Sequence, residues 1–234
     1  MDQMKISVVI PVLNEEEMIG GLIRELRVRS STPLHEIIVV DGGSSDLTVK
    51  TAAAAGAKVI GSPVRGRAAQ MNAGARAASG DILYFLHADT LPPARYDQLI
   101  RHALSVRSKA GCFRLRFTGN HPALRFYSWF TRFKSTLFRF GDQSLFIERP
   151  LFEKIGGFDE GLIVMEDQEI VRRIRQKTDF KIIKEPVTTS SRKYEQEGVY
   201  RLQFIFMIVF TLYYFGARQE TLLHLYKTLM KRVL

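Results

Sequence analysis

The chain is poor in cysteine: Cys112 is the single one among 234 residues. No internal disulfide can staple it, which suits a reducing cytosol. Long hydrophobic runs are missing too. The longest, residues 204–215, falls short of the roughly 18–20 residues that cross a bilayer as a helix. The opening MDQMKISVVIPV enters a strand pattern at once, with no basic region or cleavable apolar segment. The expected location is therefore cytoplasmic, free or peripheral on the inner face of the membrane. The two commonest phosphate-binding loops are absent. No Walker-type GxxxxGK[ST] occurs, and the first strand-to-helix turn, Pro11-Val12-Leu13-Asn14-Glu15, has no glycine and carries an acid where a pyrophosphate would sit. Repeats, linkers and low-complexity segments are lacking as well.

What is present is a chain of ordinary globular composition, 46% hydrophobic and 25% charged, enough for a real core. Its net charge of +10 is unevenly spread. Residues 1–100 hold 10 Lys/Arg against 11 Asp/Glu, residues 101–150 hold 10 against 2, and residues 201–234 hold 5 against 1. The second half therefore points to an anionic partner such as a phosphate, a nucleic acid or a lipid headgroup.

Apolar runs at residues 5–12, 36–40, 58–60 and 82–86 read as strands, the first and last of them fully buried. Between them, helical spacing covers Met18, Ile19, Leu22, Ile23 and Leu26, started by Asn14 or Glu15, then residues 47–55, started by Ser45 or Asp46, then an alanine-rich stretch to Ala78; another helix is expected over 94–105. This β-α alternation predicts an α/β fold with a mostly parallel sheet. Beyond Ala110 the pattern changes. Residues 112–117, CFRLRF, read as a half-exposed strand, 144–147 as a short strand, and 150–155 and 170–177 as helices. Strand residues 181–184 with 186–188 follow, and two apolar-basic helices at 199–215 and 219–233 close the chain.

Acids and amides gather at strand ends, where ligands bind in open α/β sheets. The stretch GDILYFLHADTL ends a buried strand in His87-Ala88-Asp89. Asp89 either caps a helix after Pro92-Pro93 or, with His87 or through water, holds a divalent cation that bridges two phosphates. Asp41, after the second strand, can accept hydrogen bonds from a ribose or base N–H, and Arg67 can add charge to a diphosphate. Asp167, in a first helical turn, can serve as a general base for a hydroxyl acceptor. Cys112 reads as a packed strand residue rather than a nucleophile.

The ordered set SVVIPVLNEE, IIVVDGGSSD, RGRAAQMNAG, LHADT and MEDQE resembles the family 2 glycosyltransferases of GT-A fold, over about residues 5–190. It is most similar to a small bacterial group with the LHADT metal motif and a later GDQ…F…GGF…EDQE segment. The resemblance implies a metal-dependent inverting transfer of a sugar from a nucleotide diphosphate, UDP most often, to a hydroxyl acceptor that is lipid-linked or a small molecule. It places Pro11, Val12, Asn14, Glu15 and Asp41 around base and ribose, and Arg67 and Gln70 by ribose or diphosphate. His87-Ala88-Asp89 falls at the metal motif, with Asp89 the direct ligand of Mn²⁺ or Mg²⁺, and Asp167 of the Glu166-Asp167 pair would be the base. Asp142 and Gln143 would border the acceptor pocket, and Arg192 would close over the phosphates within Ser191-Arg192-Lys193. His87 stands where the motif usually begins with aspartate, so the site has fewer anionic ligands. Glu169 and the shifted Arg192-Lys193-Tyr194 also depart from the family pattern. The implied division is a nucleotide-sugar-binding and catalytic domain over 1–190 and a helical extension over 191–234.

Residues 113–140 interleave nine aromatics with arginine and lysine. That pattern suits an anionic bilayer surface or base stacking, or else a helical pair with aromatics in the core. In the tail, Phe204, Ile208, Leu212 and Phe215 share one stripe, with Lys227, Lys231 and Arg232 near its end. Core or homodimer packing and membrane contact are the two readings. Nucleic-acid binding is set aside because the first half is acidic. The alternative to an enzyme is a non-catalytic nucleotide-sugar or membrane-surface binding protein on the same scaffold.

Overall fold

The computed structural model describes residues 3–104, 107–135 and 141–230. Ser105 of the expected fourth helix, residues 136–140 of the aromatic-basic stretch, and Lys231 and Arg232 lie outside them. Four strands and three crossover helices open the chain: β1 (Ile6–Val12), α1 (Glu16–Arg29), β2 (Glu36–Asp41), α2 (Thr48–Ala54), β3 (Lys58–Gly61), α3 (Arg67–Ala77) and β4 (Ile82–Phe85). Then come β5 (Thr90–Leu91), α4 (Tyr96–Ala103), β6 (Ser108–Phe117), α5 (Pro122–Trp129), β7 (Leu145–Glu148), α6 (Arg149–Lys154), α7 (Glu166–Arg175) and β8 (Asp179–Thr189). Three helices end the chain, α8 (Arg192–Glu197), α9 (Val199–Tyr214) and α10 (Gln219–Leu229).

One eight-stranded sheet runs β3-β2-β1-β4-β7-β6-β8-β5. β1, β2, β3 and β4 pair in parallel, as their helical connections demand. β7 lies antiparallel between β4 and β6, and β8 runs parallel to β6. The expectation of a mostly parallel α/β sheet holds.

β1 is buried on both faces. Ile6, Val8 and Ile10 join α1 in one apolar cluster, while Val9 joins Ile38, Val40 and α3 in another. Helix α3 lies against the sheet through Gly74, where an added Cβ would come within 2.3 Å of Val9 Cγ1. The alanine-rich sequence of this helix thus sets its depth, since small side chains permit close approach.

Strand β6 is half-exposed, as its alternation predicts: Phe113, Leu115 and Phe117 are buried, Arg114 is half-buried and Arg116 exposed, while β7 and β8 flank it within the sheet. Glu15 is the N-cap of α1, as one of the two expected starts, but its side chain makes no capping hydrogen bond. Two local expectations are corrected. Asp89 caps no helix, because α4 begins only at Tyr96 after Arg95. Finally, α9 buries Leu202, Ile205 and Val209 against Leu222, Tyr226 and Met230 of the last helix and its end, leaving Phe204 and Phe215 outside. The helical period was right and the buried stripe was rotated, because its depth depends on where α10 folds back.

Candidate active site

The carboxyl ends of β1 and β2 are locked together. Gln70, buried at the start of α3, donates its amide nitrogen to Val12 O and Val40 O, both at 2.8 Å. Gly42 leaves room for that amide, since a Cβ there would sit 3.0 Å from Gln70 Nε2. The Asp41 carboxylate accepts from the N–H of Gly43 at 3.0 Å and of Ser44 at 3.1 Å, which shapes the turn after β2. Asn14 donates its N–H to Ser44 Oγ and accepts from Ser45 N–H at Oδ1, each at 2.9 Å, while Glu15 N–H donates to Thr48 Oγ1 at 2.7 Å. Just before α2, Asp46 Oδ1 accepts from Thr48 N–H, and the N-cap position of that helix is Leu47 rather than the expected Ser45 or Asp46. Thus Pro11, Val12, Asn14 and Asp41 line one rigid rim. Gln70 enters as the clamp beneath it, with its donor hydrogens spent on strand carbonyls. This speaks against the diphosphate half of the expected ribose-or-diphosphate placement and leaves the ribose half as it stood.

Beyond the end of β4 the chain places His87 Nδ1 3.2 Å from Asp142 Oδ1, in the short 3₁₀ turn Gly141–Gln143. Burial pulls the imidazole down, but the Asp142 bond outweighs it and His87 titrates above its ordinary value. Asp142 moves the other way: burial pushes its carboxyl up, and the His87 bond together with Arg67 brings it below the usual range. Asp89 is raised by burial and then by the Asp142 charge. Glu15 is raised by burial and then by Asp89, against the pull of Arg192. Gln143 is buried, with Cys112 Sγ donating to its Oε1 at 3.5 Å, so it is a floor residue under Asp142.

The third arm is the first turn of α7. Arg67 Nη1 lies 3.2 Å from Glu166 Oε1 and 3.8 Å from Asp167 Oδ2. Glu166 is buried and Asp167 half-buried. Burial drives the Glu166 carboxyl up to about 7, the Asp167 charge adds to the rise, and Arg67 opposes it. Glu169, by contrast, pairs with Arg173 one turn along and stays within its helix.

From the last strand's end, Arg192 reaches Glu15 and Glu17, each at 3.7 Å. Lys193 bonds Tyr226 Oη on α10 and helps to hold Asp142 low. The carboxyl edge therefore gathers Glu15, Arg67, His87, Asp89, Asp142, Glu166, Asp167 and Arg192, linked pair by pair. Asn14, Ser144 and Met165, three residues with positive φ (55°, 56° and 70°), flank this edge. Non-glycine side chains held there cost roughly 1–3 kcal/mol each, and such positions concentrate at sites where geometry is prescribed.

Sequence reasoning did not find the Ser44 and Thr48 staples, the His87–Asp142 contact or the contact between Tyr214 Oη and Gln168 Oε1 at 3.1 Å. Only the Asx and Ser/Thr-rich turn offered a signal for the first. Chemically, the edge presents carboxylates that repel one another, a base candidate held by an arginine, and cations at two margins.

Residues 7–152 match the family model described as Glycosyl transferase family 2. Over 96 residues the chain is 35% identical to glucosyl-3-phosphoglycerate synthase from Mycolicibacterium smegmatis, covering 38% of this chain and 32% of that relative. Over 109 residues it is 37% identical to undecaprenyl-phosphate 4-deoxy-4-formamido-L-arabinose transferase from Salmonella choleraesuis, covering 42% and 33%. The matched stretch spans about a third of the length of these curated relatives. The structure superposes on mannosyltransferase PcManGT from Pyrobaculum calidifontis, in complex with GDP-Man and Mn²⁺, with a TM-score of 0.70 at 19% identity, over 98% of this chain and 70% of that one.

Proposed function

The chain belongs to glycosyl transferase family 2, and on that premise we propose that it transfers a sugar from a nucleotide diphosphate, UDP-linked, to a hydroxyl acceptor with inversion at the anomeric carbon. The observation that carries this reading is the convergence of Asp89, Asp142, Glu166 and Asp167 with Arg67 on one strand edge. We assign residues 1–190 to the catalytic domain and 191–234 to a helical extension, and place the reaction in the cytoplasm.

The donor's base and ribose would lie on the locked rim, with Asp41 accepting from a base N–H and Asn14 and Glu15 beside it. The rest of the edge fits a divalent cation: half-buried Asp89 and Asp142 repel each other, and hard carboxylate oxygens suit Mn²⁺ or Mg²⁺. Among the described residues no group of three His, Cys, Asp or Glu suffices to hold a metal alone. Asp89, with His87 near enough to act on its charge, would therefore hold the ion together with the donor's phosphates. When bound, the ion would supply neutralising charge to the departing diphosphate.

Asp167 then takes the acceptor hydroxyl's proton. The freed oxygen forms its bond to the anomeric carbon from the side opposite the diphosphate, and the bond from that carbon to the phosphate oxygen breaks with its electron pair on the nucleoside diphosphate. Arg67 and Arg192 meet the charge that develops there. Glu166, held near neutrality beside Asp167, keeps Arg67 in place without a second full charge next to the base. The acceptor hydroxyl is lipid-linked or on a small molecule, and approaches past Asp142 and Lys193.

The test is donor hydrolysis and transfer with UDP-sugars in the presence of Mn²⁺. Slow release of free sugar by the wild type and its loss in Asp167→Asn is the expected result. Tight donor binding without any release, in every UDP-sugar tried, would reduce the chain to a binding module.

A further inference from the structure

Two neighbouring helices present aromatic side chains outward. On α5 and the turn after it, Phe126 (60% exposed), Trp129 and Phe133 face solvent; on α9, Tyr200, Phe204 (58%) and Phe215 (84%) do the same. The helices touch through His121 and Tyr200, whose rings stand 5.6 Å apart. An apolar area of this extent on a chain with a well-formed core marks an interaction surface. Cations accompany it: Arg125, Arg132 and Lys134 are exposed, and the Arg132 guanidinium stacks 4.6 Å over Trp129. Acids do not, for the sequence has no Asp or Glu from residue 98 to 141 and one, Glu220, from 198 to 230.

We infer that this face docks the protein in the plane of a bilayer rich in anionic lipid. Rings that are apolar in body and polar at one edge, next to arginines, are what the headgroup level accommodates. The ring sits among the acyl carbons and the guanidinium among phosphates. Among the described residues no helix is long and apolar enough to cross a membrane. With 16 residues, α9 is about 24 Å long and lies along the surface. A second copy of the chain fits this face less well, because a two-fold contact would oppose arginines to arginines with no acid between them. Docking would also have a catalytic consequence. Arg192 and Lys193 sit on α8, joined to α9 through Gly198, so the membrane plane would lie beside the acceptor side of the site. The inference does not depend on the transferase reading, since its readout is partition and not turnover.

The experiment is flotation of the full chain with vesicles of phosphatidylglycerol and phosphatidylcholine in equal parts, against vesicles of phosphatidylcholine alone. Binding is expected on the anionic vesicles and should fall as salt rises. Arg125→Gln and Arg132→Gln should each weaken it about fivefold. Phe204→Ser and Phe215→Ser should each weaken it roughly tenfold. All four replace exposed side chains, so the core is untouched. Absence of flotation at low salt, equal retention on both vesicle types, or variants that bind like the wild type would overturn the proposal. So would a dimer in sedimentation that Phe204→Ser with Phe215→Ser dissociates, which would give the face to a second copy.

Discussion

The two halves of the strand-end edge are built on opposite principles. On the side of β1 and β2 nearly every polar group is already answered. Asp41 takes two backbone N–H groups, Asn14 and Glu15 are stapled to Ser44, Ser45 and Thr48, and Gln70 spans two strand carbonyls. Across the crevice the charges remain in conflict. Asp89 is raised by burial and by Asp142, its charge reaches back to raise the Glu15 carboxyl at the border of the first rim, and Glu166 sits near 7 beside Asp167. A saturated rim presents a fixed shape and makes no demand of its ligand. A rim of unrelieved charge is completed only when something with the complementary charge arrives, and its strain is a reservoir for binding. Shape recognition and charge chemistry are thus separated along one sheet edge.

Substitutions on the conflicted side should move chemistry and pH response, while those on the saturated side should move stability. The largest effect is expected from Asp167→Asn, which should lower kcat by about 10²–10⁴ while calorimetric donor binding is retained; unchanged turnover would take Asp167 out of the base role. Next comes Glu166→Gln. Because the folded pKa of Glu166 lies near 7, above its unfolded value of 4.5, its contribution to stability is complete below pH 4.5 and lost as pH rises to 7. The variant should escape that loss, worth up to roughly 3 kcal/mol, in urea midpoints followed against pH; a parallel pH dependence in the two proteins would contradict the buried-acid assignment.

Smaller again, Asp89→Ala should abolish the gain in nucleotide affinity that Mn²⁺ brings, about 10–100-fold in titration calorimetry. A metal effect of wild-type size would remove Asp89 from the ligand set. On the saturated side, Gln70→Leu removes the amide that bridges Val12 O and Val40 O, leaving Val12 O with the Gly42 N–H alone, and should cost about 2 kcal/mol of unfolding free energy, with kcat at saturating donor near wild type. A large loss of kcat there instead would erase the contrast between the two halves.

Much of this was legible in one dimension. Runs such as SVVIPV and IIVV can only be strands buried on both faces, and the alternation with helices of 3.6-residue period demands parallel pairing with crossovers. Strand-end acids then fall on one edge by topology, which makes Asp41 and Asp89 nameable in one dimension; Asp167 lies in the first turn of a helix, and the sequence points to it through that turn and the MEDQE resemblance. The place of β6 within the sheet is not legible: CFRLRF alternates as a strand with one exposed face does, and only the pairing puts β7 and β8 on its two sides. The register shift opposite Phe113 and Arg114, which lets Pro186 sit in β8 without a ladder donor, likewise belongs to the pairing and not to the residues.

Local order, the strand-helix alternation and the identity of the acids were therefore determined by the sequence itself, because backbone sterics and apolar periodicity act over a few residues. Which of those acids repel, which arginine pairs with Glu166 and Asp167, and which stripe of α9 is left to solvent were decided by the tertiary structure alone. The reason is physical: the energy of a charge depends on its distance from other charges and from water. Residues 15, 67, 89, 142, 166 and 192 acquire those distances only when the sheet closes.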